Sequence, residues 1–385
     1  MNNAAYKEQL SRFDSIRPFE AEELPEVYNR LAADTQFQGI VKYLYPQVPF
    51  EVVMQQMRQC KTCFDFQKAF CYPFLKQLMA KASTGLDIDA TSIDISKRYT
   101  FVSNHRDIVL DSALLDVLLI DANAGTTTEI AIGDNLLAAP WIRDLVRINK
   151  SFIVERSLPP REMLIASKRL SEYMHFVVNE KHDNIWIAQR EGRAKDSDDR
   201  TQPAILKMMA LSTPKGSEGG VVERLKELHI VPLSISYEYD PCDFLKAGEF
   251  QLKRDVPGWK KSKQDDVESM RTGIMGYKGQ VHYHCAPCID DWLDTLPKDM
   301  PRTELFDTVA AHIDQEIHSH YRLYASNRVA AGAESTEQER TDFKAYVERQ
   351  LAKVKLDSPD TSFLRERIIA MYANPYINAK KATAE

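Results

Sequence analysis

The 385-residue chain is 44% hydrophobic and 28% charged, the make-up of an ordinary globular protein with room for one large α/β domain and an appendage, or for two domains. Its 56 acidic against 50 basic residues leave a formal charge of −6, the wrong sign for a protein whose main partner is nucleic acid. No run approaches the roughly 20 apolar residues that span a bilayer. The opening MNNAAYKEQLSRFDSIRPFE lacks the apolar stretch of a secretion signal, so a cytoplasmic location is expected, with any membrane contact peripheral and at the inner face.

Residues 1–90 read as a helical N-terminal domain. Acids open the stretch Ala21 to Ala33, broad apolar stripes run from Phe50 to Met79, and the segment ends in a loop at 83–92, STGLDIDATS. Residues 91–300 alternate short apolar runs with helical periodicity. Strands are expected at Tyr99 to Val102, Thr128 to Ile132, Ser151 to Val154, Ile185 to Ala188, Ile230 to Tyr237 and Gln280 to His284. Helices are expected from Asp107 onward, over Leu136 to Ile148, and from Pro160 to about Glu180. Such alternation predicts an α/β fold, a mostly parallel mixed sheet flanked by helices. Residues 301–385 form a helical C-terminal extension with helices at Leu305 to Tyr324, Thr341 to Leu356 and Phe363 to Tyr372, and a frayed end, NAKKATAE. The helix 136–148 carries Trp141 and Leu145 beside Arg143 and Arg147. That composition suits a membrane interface, but packing on the sheet is the favoured reading.

Six cysteines in a reducing compartment are expected to be thiols. The pairs Cys60/Cys63 and Cys285/Cys288, the second beside His282 and His284, have the content of a zinc site. They lie far apart in the chain, however, and Cys60 with Cys63 fits one apolar helix face, so no metal is expected.

The chemistry concentrates at 99–121, YTFVSNHRDIVLDSALLDVLLID, where a strand ends in a histidine and a helix follows at once. A strand-to-helix corner holds a side chain rigidly while leaving it open to a ligand. His105 is therefore a candidate base. Asp107 and Asp111 share a helical face, and Asp111 could orient the imidazole and fix its tautomer, with Asp107 as helix cap or substitute orienter. Two further strands end in arginine-bearing segments, giving Arg156 and Arg193. Guanidinium forks suit phosphate, and the carboxyl ends of parallel strands share one crevice.

The order of these pieces resembles the glycerolipid acyltransferases, the family of glycerol-3-phosphate and lysophosphatidate acyltransferases. The likeness lies in NHRDIVLD (Asn104 to Asp111), SFIVER (Ser151 to Arg156), AQREGRAKD (Ala188 to Asp196) and IVPLSISYEYD (Ile230 to Asp240), with YKGQVHYHCAPCID (Tyr277 to Asp290) like the family's late strand. The resemblance implies an O-acyltransferase moving a fatty acyl group from acyl-CoA or acyl carrier protein to a hydroxyl of glycerol-3-phosphate or a lysophospholipid, without a cofactor. It implies His105 as general base with Asp111 behind it, and Arg156, Glu191, Gly192 and Arg193 on the acceptor, with Val231 and Pro232 on the acyl donor side. Two departures stand out. Five residues rather than four separate His105 from Asp111, and Gln189-Arg190 replaces the Phe-Pro that opens the third block. The altered block suggests one alternative, an amino-acid lipid or other non-glycerol acceptor, and the longer His-to-Asp spacing another, a catalytically inactive lipid-binding relative.

Overall fold

The computed structural model describes residues 3–214 and 220–384. Seven strands form one sheet: β1 (Gly85–Asp89), β2 (Thr100–Ser103), β3 (Thr128–Gly133), β4 (Ser151–Val154), β5 (Asn184–Ala188), β6 (Ile230–Tyr237) and β7 (Gln280–Cys285). Their order is β1-β7-β6-β2-β5-β3-β4. Every neighbouring pair is parallel except β6 with β7. The fold is thus α/β, a mostly parallel mixed sheet with helices packed on both faces.

Burial explains the centre of the sheet. All four residues of β2 and all eight of β6 are buried, as strands covered on both faces require. Alternation splits them between two cores. Val102 joins Phe152, Tyr173 and Ile313 on one face, while Phe101 joins Trp186, Leu233 and Leu114 on the other. A proline in a central strand removes a ladder donor, and β6 contains Pro232. Its carbonyl accepts from Ala286 N at 3.0 Å, one residue beyond the last β6–β7 pair, Leu233 with Cys285. The missing N–H faces the same Ala286, so the proline forfeits one bond at the end of the β6–β7 ladder rather than inside it.

One element differs from the sequence reading. Gly85–Asp89, expected as loop, is the edge strand β1, in register with β7 so that Asp87 lies opposite His282 and Asp89 opposite His284. Helix 136–148 also begins later, as Pro140–Ile148 after a short 3-10 turn. Its apolar face meets the N-terminal helices rather than the centre of the sheet. Trp141 packs 6.1 Å from the Phe37 ring and donates to Gln36 Oε1 at 3.0 Å, and Ile148 lies in the core of the N-terminal helices. That core is built from the helices Leu24–Ala33, Thr35–Leu44 and Phe50–Gln59. The first segment packs elsewhere. Phe13 sits 5.1 Å from Tyr173 and 5.6 Å from Phe176, and Ile16 O accepts from Ile153 N beside β4.

The C-terminal helices run Arg302–Ser319, Glu337–Leu351 and Thr361–Ala382. The expected fraying at NAKKATAE is wrong for most of that stretch, because Asn378 is buried and donates to Asp198 Oδ1 at 3.0 Å. Asn374, a turn earlier, donates to Asp196 O at 2.8 Å. Two polar anchors one turn apart hold the helix onto the segment after β5. No helix among the described residues is long and apolar enough to cross a membrane.

Candidate active site

The site begins where β2 ends. Asn104, fully buried, exchanges two hydrogen bonds with the backbone of Ile235, its Nδ2 donating to the carbonyl at 2.9 Å and its Oδ1 accepting from the N–H at 2.8 Å. The chain is thereby pinned to β6 one residue before His105. The stretch to Val109 is not helical, and the helix starts at Leu110, running to Asp121. The extra residue between His105 and Asp111 is absorbed in this bend. Asp107 caps it, its Oδ1 accepting from Val109 N at 2.9 Å and Leu110 N at 2.8 Å. Burial, reinforced by the Asp111 carboxylate, pushes the Asp107 carboxyl above its ordinary range.

Asp111, fully buried, reaches back across the bend. Its Oδ2 lies 2.8 Å from His105 Nδ1 and accepts from Arg106 N at 2.6 Å and Asp107 N at 3.0 Å. One carboxylate oxygen thus shapes the corner and holds the ring. A carboxylate on Nδ1 fixes the tautomer with its proton there. Nε2 has no partner among the described residues, and the imidazole side chain is 12% exposed. The Trp186 ring stands edge-on 5.8 Å away, its Nε1 held by Ser103 Oγ at 3.1 Å. Of the two candidate orienting acids, Asp111 contacts the ring and Asp107 caps the helix.

The third block lies next door, because Gln189 N donates to Ser103 O at 2.7 Å and so extends the β2–β5 pairing to the residue before Asn104. Gly192 then turns with φ +69°, a conformation open to glycine at little cost. Arg156, two residues past β4, approaches from the other side, its Nη1 3.4 Å from Glu191 Oε1. Its guanidinium runs so close to Gly133 that an added Cβ would lie 3.1 Å from Cζ and Nε. Arg193 is separate from this pair. It is 9% exposed, its Nη1 has no partner, and its charge acts on Asp107 and Asp240. The structure therefore joins His105 to Asp111 and Arg156 to Glu191, and buries Arg193 with no ion-pair partner among the described residues.

Sequence reasoning passed over the supports beneath this layer. Arg106 is buried, with Nη2 2.8 Å from Asp199 Oδ2 and its guanidinium 5.5 Å from the Tyr321 ring centre. Burial works against its charge, but Asp199, Tyr321, Asp240 and Asp111 together outweigh it and raise the guanidinium pKa. Tyr321 also donates to Asp199, at 2.7 Å. Lys246, 1% exposed, pairs with Asp240. The charges were visible in the sequence, but their partners come from distant segments. Cys60 and Cys63 lie in the N-terminal core and Cys285 in the sheet core, so the two C-x-x-C pairs do not meet. Among the described residues one three-donor group has ligand spacing, His229, Cys288 and Asp290. There His229 Nδ1 is already 2.6 Å from Asp290 Oδ2, a contact an intervening ion would have to break.

No family model matches the chain, and no curated protein matches it. Among solved structures, the crystal structure of the 1-acyl-sn-glycerophosphate (LPA) acyltransferase PlsC from Thermotoga maritima is similar at 11% identity with a TM-score of 0.37, over 75% of this chain and 91% of that one.

Proposed function

We propose that the protein is an O-acyltransferase that moves a fatty acyl group from a thioester donor, acyl-CoA or acyl carrier protein, to a hydroxyl of glycerol-3-phosphate or a lysophospholipid. The observation that carries this reading is the His105 imidazole, tied through Nδ1 to the buried Asp111 at 2.8 Å with Nε2 unpartnered among the described residues. Nε2 takes the acceptor's hydroxyl proton as its oxygen attacks the thioester carbonyl. A C–O bond forms, the C–S bond breaks, and the imidazolium, stabilised by Asp111, returns the proton to the departing thiolate. No acyl-enzyme is needed, so the kinetics are sequential. Arg156 and Arg193, at the carboxyl ends of β4 and β5, are assigned to the acceptor phosphate. Glu191 positions Arg156, and Gly192 lets the backbone approach.

The same proposal places the protein peripherally at the inner membrane face. Exposed Ile40, Tyr43, Leu44 and Val52 on two N-terminal helices supply apolar side chains for that contact. The test incubates purified protein with acyl-CoA or acylated carrier protein and a panel of phosphorylated and unphosphorylated acceptors, reading products by mass spectrometry. His105→Ala should abolish turnover with the fold intact. Substantial activity in that variant overturns the assignment, as does the absence of product with every acceptor.

A further inference from the structure

A second concavity opens at the same end of the sheet as His105. The helix Lys263–Met275 separates the two. Gly273 lies directly against Asp107, while Thr272, Met275 and Gly276 line a groove of about 1210 Å³ whose opposite wall is the C-terminal helix Glu337–Leu351 and the residues just after it. The volume is ample for a cofactor-sized ligand.

The lining is specific in chemistry. Tyr239 is its centre, with the Tyr277 ring 6.1 Å away at 32° and the Tyr346 ring 4.6 Å away at 36°. Tyr277 is 52% exposed, an aromatic face left open to stacking. Around these rings stand Arg349, Lys353 and Lys355. Among the described residues none of the three has a carboxylate within ion-pair distance. The groove's acids are engaged by its own wall: Glu268 pairs with Arg271 at 3.9 Å, and Glu238 accepts from Gln280 N at 2.9 Å. A further observation points to a ligand. Gln350 lines the groove at 7% exposure, and its side-chain oxygen is buried without a hydrogen-bond donor, a deficit that a bound N–H group would remove.

Open aromatic faces, three cations that among the described residues touch rings at most and no carboxylate, and one unfilled acceptor together describe a planar nitrogen heterocycle carrying phosphates. We propose that this groove binds a phosphorylated adenine nucleoside. Its base stacks on Tyr239 and Tyr277 and donates its amino group to Gln350, and its phosphates meet Arg349, Lys353 and Lys355. Two sources share that chemistry, the nucleotide end of a CoA thioester and a free nucleotide. Assigning the first source rests on the acyl-transfer reading, whereas nucleotide binding itself does not.

Titration calorimetry on the full chain with adenosine 3′,5′-bisphosphate, CoA, ADP and phosphopantetheine tests the groove directly. Nucleotides should bind, and phosphopantetheine alone should bind at least tenfold more weakly than CoA. The triple variant Arg349→Ala, Lys353→Ala, Lys355→Ala, all three exposed, should lose tenfold or more in nucleotide affinity, and Tyr277→Ala about tenfold. His105→Ala should bind nucleotide as the wild type does, so an error in the proposed chemistry leaves this readout intact. With a CoA source, the triple variant raises KM for acyl-CoA about tenfold and leaves turnover from acylated carrier protein unchanged. With a free-nucleotide source, KM for acyl-CoA stays constant while added ADP changes the rate only in the wild type. Wild-type protein that binds no adenine nucleotide, or a triple variant that binds as tightly as the wild type, overturns the proposal.

Discussion

Two glycines in neighbouring helices should respond to alanine in opposite directions. Gly248 lies in the helix Asp243–Asp255, where an added Cβ meets no atom within 4 Å. Gly273 lies in Lys263–Met275, where an added Cβ would fall 1.9 Å from Asp107 Oδ2 and 3.0 Å from its Cγ. Asp107 cannot yield cheaply, because it is 2% exposed and its Oδ1 holds the N–H groups of Val109 and Leu110. Losing those two bonds costs about 1–2 kcal/mol each, forcing the overlap adds about 1–3 kcal/mol, and alanine's helix preference returns about 1 kcal/mol. Gly273→Ala should therefore destabilise by about 2–6 kcal/mol, and Gly248→Ala should stabilise by about 0.5–1 kcal/mol. Urea unfolding of both variants at constant slope is the assay. A double cycle with Asp107→Ala should recover most of the Gly273→Ala cost, because the clash and the hydrogen bonds disappear together. If Gly273→Ala unfolds within experimental error of Gly248→Ala, the close approach of this helix to the His105 corner is refuted.

Asp111→Asn replaces an acceptor that serves three N–H groups and should lower kcat about 10²–10⁴-fold with a smaller change in KM; steady-state kinetics at saturating acceptor decide it. Gly133→Ala, whose Cβ would crowd Arg156 and lie 2.5 Å from Asn135 Oδ1, should raise KM for the phosphorylated acceptor and leave donor KM unchanged; an unaltered acceptor KM removes Arg156 from the acceptor site. Asp199→Asn leaves the Arg106 guanidinium buried and uncompensated, a loss of about 3–5 kcal/mol readable in denaturant melts. His284, its side chain 14% exposed, is stacked 4.1 Å from His320, and partial burial, then the His320 charge, hold its pKa down to about 4. The unfolded imidazole therefore takes up its proton near pH 6.5 and the folded one only near pH 4, so stability falls as pH drops through that window, by about 2 kcal/mol at pH 5. His284→Asn should flatten that part of the pH–stability curve, and an unchanged slope would contradict the burial.

What the sequence disclosed and what it hid follow from where each signal lives. Ile230–Tyr237 and Ser151–Val154 have the bounds expected of them, because both are short runs dominated by β-branched, aromatic and other apolar residues. β1 escaped notice because GLDID offers only Leu86 and Ile88 to the core. Its acids are matched by His282 and His284 from the far end of the chain. The C-terminal helix was cut short for the same reason, since the bonds that hold Asn374 and Asn378 are made to residues near position 197. At the candidate site the histidine and both aspartates were legible from spacing. Which aspartate faces the ring was settled by the bend at Arg106 to Val109, a backbone detail with no pattern of its own. Arg106 and Asp199 illustrate the general difficulty: a charged residue looks solvated until its distant counter-ion is seen.

The clasp between Thr361–Ala382 and the segment after β5 bears on how the molecule is made. A ribosome delivers Asp196 and Asp198 long before it delivers Asn374 and Asn378, so the nascent sheet must wait with one bank of its crevice unsecured. Tags or truncations that disturb the far end of that helix would loosen the loop after β5, although 178 to 180 residues of chain separate the bonded partners.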